Sequence, residues 1–176
     1  MKHFISRRNF LKAVGVTAAA SAMAAAVPQA SAGFLTGKDA AVTILYTNDV
    51  HTYIDNKSPK LTYAAIAAMK QGYVDEGKPV LLVDAGDHIQ GTAYGSMDDG
   101  ATIIELMNEA GYDIATLGNH EFDYGMARAK AIIKEADFPY VSCNWVDLRT
   151  GLRVLPAVKL FPAGGKWIAF VGITTP

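Results

Sequence analysis

Three short apolar runs, AVTILYT at 41–47, VLLV at 80–83 and Ile114–Leu117, are each followed by a loop and then by a stretch with helical spacing. Unbroken β-branched and apolar runs of this length read as buried strands. The first intervening helix is expected to be capped by Ser58 with Pro59 at its first position, and to present Leu61, Ala65, Ala68, Met69 and Gly72 on one face until Gly77 and Pro79 stop it. Ile103, Leu106, Met107 and Ala110 stripe a second helix that Gly111 ends, and Met126, Ala129, Ile133 and Ala136 stripe a third. Pro139–Cys143 reads as a fourth strand. Strand and helix alternate, which dictates a parallel α/β sheet. Beyond it, Val154–Phe161 and Trp167–Ile173 are strands joined through Pro162-Ala163-Gly164-Gly165, the pattern of an antiparallel hairpin.

The first 32 residues follow another logic, since they hold ten alanines and four Lys/Arg but no acid. Lys2, Arg7, Arg8 and Lys12 form a positive head, 13–27 an uncharged apolar stretch, and Ala30-Ser31-Ala32 a small-residue cleavage site. A membrane-spanning helix needs about 20 apolar residues, so a cleaved leader over 1–32 is the better reading than an anchor. Ser6–Lys12 reads SRRNFLK, which resembles the twin-arginine export consensus S-R-R-x-F-L-K. That resemblance implies passage through the twin-arginine machinery as a folded protein, into a periplasm or out of the cell. A polar linker over 33–41 follows.

Without the leader, residues 33–176 carry 12 basic and 17 acidic side chains, a net charge of −5. No basic face for a nucleic-acid backbone is expected. Cys143 is the sole cysteine, so the fold rests on its core, a metal or a partner and not on internal disulfides. With no histidine near it in sequence, Cys143 reads as a small buried apolar residue and not as a nucleophile.

Ligand-type side chains collect just past each of the first three strands: Asp49 and His51, then Asp84 and Asp87, then Asn119, His120 and Asp123. Open α/β sheets build their sites at that edge, so loops distant in sequence converge in space. In extended chain Asp49 and His51 point the same way, and carboxylate with imidazole suits Zn, Mn or Fe. Asp87 has the alternatives of a turn cap or a carboxylate bridging two cations. Asn119 can offer a carbonyl oxygen to a metal while His120 faces substrate, with Asp123 orienting His120 or capping the helix that follows. Asp84 is expected to hold its loop by hydrogen bonding and His88 to point away from the site. The glycines around Gly86, Gly91 and Gly95 match neither a P-loop nor a dinucleotide fingerprint.

Taken together, YTNDVH, GDHIQGT, GNHEFDYG and the terminal VGITTP resemble the metallophosphoesterase domain of the secreted 5'-nucleotidase and UDP-sugar hydrolase family, from Val42 to Pro176. The resemblance implies an α/β fold with a β-sandwich flanked by helices (αββα), and a dinuclear centre at the strand ends. Asp49 and His51 would bind the first metal, Asp87 would bridge, Asn119 would bind the second, and His120 with Asp123 would form the catalytic dyad. Two divalent ions such as Zn or Mn, about 3.5 to 4 Å apart, would serve hydrolysis of nucleotide phosphate esters. In the family, further histidine ligands, including a G-H-x-H motif, and a nucleoside-binding domain lie later in the chain. Residues 42–176 are therefore expected to be the amino-terminal part of the domain, with an incomplete ligand set and weak activity alone. Two other functions share the scaffold: thiosulfate-ester hydrolysis, and an inactive exported metal-binding fragment.

Overall fold

The computed structural model describes residues 41–54 and 62–175. The leader, the linker up to residue 40, and Ser58, Pro59 and Leu61 lie outside the described residues.

A three-stranded parallel sheet of order β1-β2-β3 is built from β1 (Thr43–Thr47), β2 (Val80–Asp84) and β3 (Ile114–Ala115). The apolar run of β2 takes the central place because both its faces are covered; Leu81 and Leu82 are buried. Registers Thr47↔Asp84 and Asp84↔Ala115 bring the three strands to a common carboxyl edge. Only two residues of the expected third strand pair, and the expected fourth strand reduces to a single parallel bridge between Ala115 and Tyr140. Pro139 has no N–H to give, and beyond Val141 the backbone turns to other partners: Ser142 N–H donates to Pro156 O and Cys143 N–H to Gly172 O. Cys143 itself is half-buried, less enclosed than a core residue.

Helix α1 (Tyr63–Asp75) starts four residues after the expected first position, because Thr62 is extended and its hydroxyl accepts from the N–H of Ala65. Its inward face also differs from expectation. Tyr63 and Ile66 are buried, whereas Ala65, Ala68, Met69 and Gly72 are exposed. Apolar side chains occur all round this helix, so periodicity alone selects no face; Lys70 settles it by pairing with Asp113 at 2.7 Å. A short helix α2 (Ala93–Ser96) interrupts the glycine-rich loop, and α3 (Ala101–Ala110) buries Ile103, Ile104, Met107 and Ala110 before Gly111, at φ 76, ends it. Helix α4 (Met126–Glu135) buries Ala129 and Ile132, while Met126 is exposed. These faces meet Leu82, Ile89, Leu117, Tyr112 and Phe138 in one core.

The hairpin is present as β4 (Val158–Ala163) and β5 (Lys166–Val171), antiparallel. Pro162 and Ala163 belong to β4, and the turn is Gly164-Gly165 alone. Both have positive φ, 58° and 73°, which a two-residue hairpin turn needs and glycine supplies without strain. The fold is mixed α/β, as expected. No helix among the described residues is long and apolar enough to cross a membrane.

Candidate metal centre

Asp49 and His51 follow β1 and Asp87 follows β2, and their ligand atoms all lie within 4.8 Å of one another. That spread is on the scale of one ion's ligand shell. His51 Nδ1 lies 3.0 Å from the carbonyl of Gln90. A carbonyl only accepts, so Nδ1 is the donor there, and Nε2, 3.8 Å from Asp49 Oδ1, is the nitrogen left to face a cation. Two carboxylates and a pre-oriented imidazole thus fit a divalent cation by their chemistry.

The backbone is bent to achieve this. Asp49, His51, Thr52 and Asp87 all have left-handed φ, at 54°, 46°, 57° and 59°. Such conformations are costly for residues with a Cβ and persist where surrounding contacts over-determine them. Those contacts are present: Asp49 N–H donates to Gly86 O, and His51 N–H to Asp87 O at 2.9 Å. The expected extended D-x-H segment is therefore replaced by a left-handed turn that still brings both side chains together. Two glycines make room. A Cβ on Gly91 would sit 2.2 Å from His51 O, and one on Gly118 would sit 2.2 Å from Asp87 Oδ1.

The loop after β3 enters as a single 3₁₀ turn, His120–Phe122. Its first N–H, that of His120, donates to Asp87 Oδ1 at 2.8 Å, which ties the third loop to the second. His120 Nδ1 meets Asp123 Oδ2 at 2.7 Å, and its ring stands edge-on to His51 with centroids 4.9 Å apart. The hydrogen bond that His120 donates to Asp123 holds the His120 pKa above its ordinary 6.5. Asp123 does not cap α4; that position belongs to Gly125, with no side-chain bond. Asn119 is exposed, between Gly118 and His120 on the loop after β3.

Beneath the site lies a buried polar layer. Asp84 holds its loop as expected, accepting from Gly86 N–H and from the Thr47 hydroxyl. His88 points away from the metal centre, but into the core and not to a loop surface: Nδ1 meets Asp84 Oδ1 at 2.7 Å and Nε2 meets the Tyr140 hydroxyl at 2.8 Å. Burial alone would lower the His88 pKa, yet the charges of Glu121 and Asp84 outweigh it and raise it to about 9. Glu121 is the residue the sequence reading passed over. It is fully buried and accepts from the N–H groups of Asp87, His88, Ile89 and Gly118. The available signal was an acid inside GNHEFDYG followed directly by an aromatic residue.

Residues 42–173 match the calcineurin-like phosphoesterase family. The chain is 35% identical to human 5'-nucleotidase over 152 residues, which cover 76% of this chain and 26% of that protein. The 5'-nucleotidase precursor of Thermus thermophilus superposes with a TM-score of 0.67 at 30% identity, covering 77% of this chain and 29% of the other. The sulfate thiohydrolase SoxB of the same genus superposes at 0.68 with 18% identity, covering 80% of this chain and 36% of the other, a likeness of fold alone. The chain spans about a quarter of the length of the curated relatives it matches. With its ligand-type side chains on three loops at one sheet edge and a family match over residues 42–173, the chain belongs to the calcineurin-like phosphoesterase family.

Proposed function

We propose that the protein is a metal-dependent phosphoesterase of 5'-nucleotidase type, hydrolysing nucleotide phosphate esters after export. The observation that carries this reading is the convergence of Asp49, His51 and Asp87 within 4.8 Å, with the His120 ring 4.9 Å from that of His51. Asp49 and His51 would hold one cation, Asp87 would be a ligand common to it and a second, and Asn119 would offer its side-chain oxygen to that second ion. When bound, divalent ions there neutralise phosphoryl oxygens and promote attack of water on phosphorus. His120, kept protonated by Asp123 on Nδ1, gives a proton from Nε2 to the departing oxygen as the P–O bond breaks. Identity of 35% to a 5'-nucleotidase, against fold likeness alone for a sulfur-ester hydrolase, favours the nucleotide substrate.

Calorimetric titration with Mn²⁺ and phosphate release from a nucleoside monophosphate test the assignment together. Asp87→Ala is expected to lose Mn²⁺ and turnover alike, and wild-type occupancy in that variant contradicts the bridge. His120→Ala is expected to keep Mn²⁺ and lose turnover; loss of the metal there contradicts its catalytic role. Metal binding without phosphate release by the unmodified protein returns the reading of an inactive metal-binding fragment, and release of sulfate from a thiosulfate ester returns the sulfur reading. For export, Lys at both Arg7 and Arg8 is expected to retain the protein in the cytoplasm. Unchanged export of that double variant points to the general secretory route.

A further inference from the structure

We infer that Glu121 is the positioning residue of the metal centre: its buried carboxylate locks the loop after β2 onto the loop after β3, and so fixes where the Asp87 carboxylate stands. One oxygen, Oε2, accepts from Asp87 N–H at 2.8 Å and from Gly118 N–H at 2.7 Å, so a single atom bridges two loops more than thirty residues apart. The other, Oε1, accepts from His88 N–H at 2.8 Å and Ile89 N–H at 3.3 Å, extending the grip along the same segment. Four backbone donors on one carboxylate are the complement of an anion, and side-chain oxygen to N–H bonds of this kind are the strong ones.

The consequence falls on Asp87. Its left-handed φ of 59° requires outside support, and its N–H is held by Glu121 while its Oδ1 is held by His120 N–H. Glu121 also sets the Gly118 backbone, against which the Asp87 carboxylate packs too closely for any Cβ. The His88 ring lies beneath, with Nδ1 at 3.5 Å from Glu121 Oε1. Glu121 touches no substrate; it acts through Asp87 and His120. The inference rests on the reading of Asp87 as a cation ligand.

Glu121→Gln keeps the shape and replaces one acceptor oxygen with an NH₂ that faces N–H donors. With circular dichroism unchanged, Mn²⁺ affinity of this variant is expected to fall about 10- to 100-fold, the range for loss of a group that orients a ligand. Its Asp87 and Gly118 amides are expected to exchange with solvent faster than in the parent. Asp87→Ala is run in parallel. Wild-type Mn²⁺ affinity in folded Glu121→Gln, with binding lost in Asp87→Ala, overturns the positioning role and leaves the cation reading standing. Wild-type affinity in both variants overturns the cation reading and this inference with it. Should Glu121→Gln not fold, hydrogen exchange on the metal-free parent decides: the amides of Asp87 and Gly118 must be protected together, and rapid exchange at either overturns the proposal.

Discussion

Two histidine–carboxylate pairs in this molecule have the same length and opposite surroundings. His88 and Asp84 meet at 2.7 Å with both side chains wholly buried, whereas His120 and Asp123 meet at 2.7 Å with 34% and 39% of their side chains exposed. The second nitrogen marks the difference in use. In His88 it is taken by the Tyr140 hydroxyl, while in His120 it has no hydrogen-bond partner among the described residues. A pair saturated on every side fixes charge and geometry; a pair with one nitrogen open can pass a proton. Distance alone therefore assigns no role.

The largest expected effect comes from removing the buried pair's cation. His88→Leu leaves Asp84 and Glu121 buried without it and is expected to destabilise the fold by about 3–5 kcal/mol in denaturant titration. His120→Ala, on the exposed pair, is expected to stay within about 0.5 kcal/mol of the parent. Equal costs for the two would break the comparison.

Next in size is the pH dependence of stability. Burial lowers the His88 pKa, but Glu121 and Asp84 raise it further, from 6.5 to about 9 in the folded state. The folded protein thus holds this proton more tightly than the unfolded chain. The resulting stabilisation is full below about pH 6.5 and is lost as pH rises towards 9. Unfolding free energies measured across that window are expected to decline in the parent and to lose this component of the decline in His88→Leu. A parent curve flat between pH 6.5 and 9 shows that His88 is neutral in the fold.

The same contrast explains what was legible in sequence. Asp49, His51 and Asp87 stood out because each follows a strand whose apolar run is unmistakable, and parallel strands share one carboxyl edge. The faces of α3 and α4 followed from their spacing in the main, but that of α1 did not, since its apolar residues surround the axis and the Lys70–Asp113 contact spans 43 positions. Tyr140 keeps only one bridge because Ser142 and Cys143, just beyond it, bond to residues 156 and 172, partners no local window contains. Glu121 escaped for the same reason. An acid beside a histidine reads as a solvated loop residue until a backbone 32 to 34 residues earlier supplies its donors.

The smallest expected effect is confined to one proton. The Asp123 carboxylate raises the His120 pKa by its hydrogen bond, burial opposes the rise, and the charges of Asp123, Asp87 and Glu121 add to it in smaller measure. Asp123→Asn keeps an oxygen at the same reach but removes the charge, so the His120 resonance in NMR titration is expected to move down towards 6.5 with little change in unfolding midpoint. The sign follows from the folded state binding the proton more tightly: the contribution of this pair is full below the unfolded value and fades as pH rises past the folded one. Solvent around an exposed pair screens that contribution, which is why the titration shifts while stability hardly does. If Asp123→Asn leaves the His120 titration in place, Asp123 only orients the ring, and the charge that favours its proton comes from Asp87 and Glu121 instead.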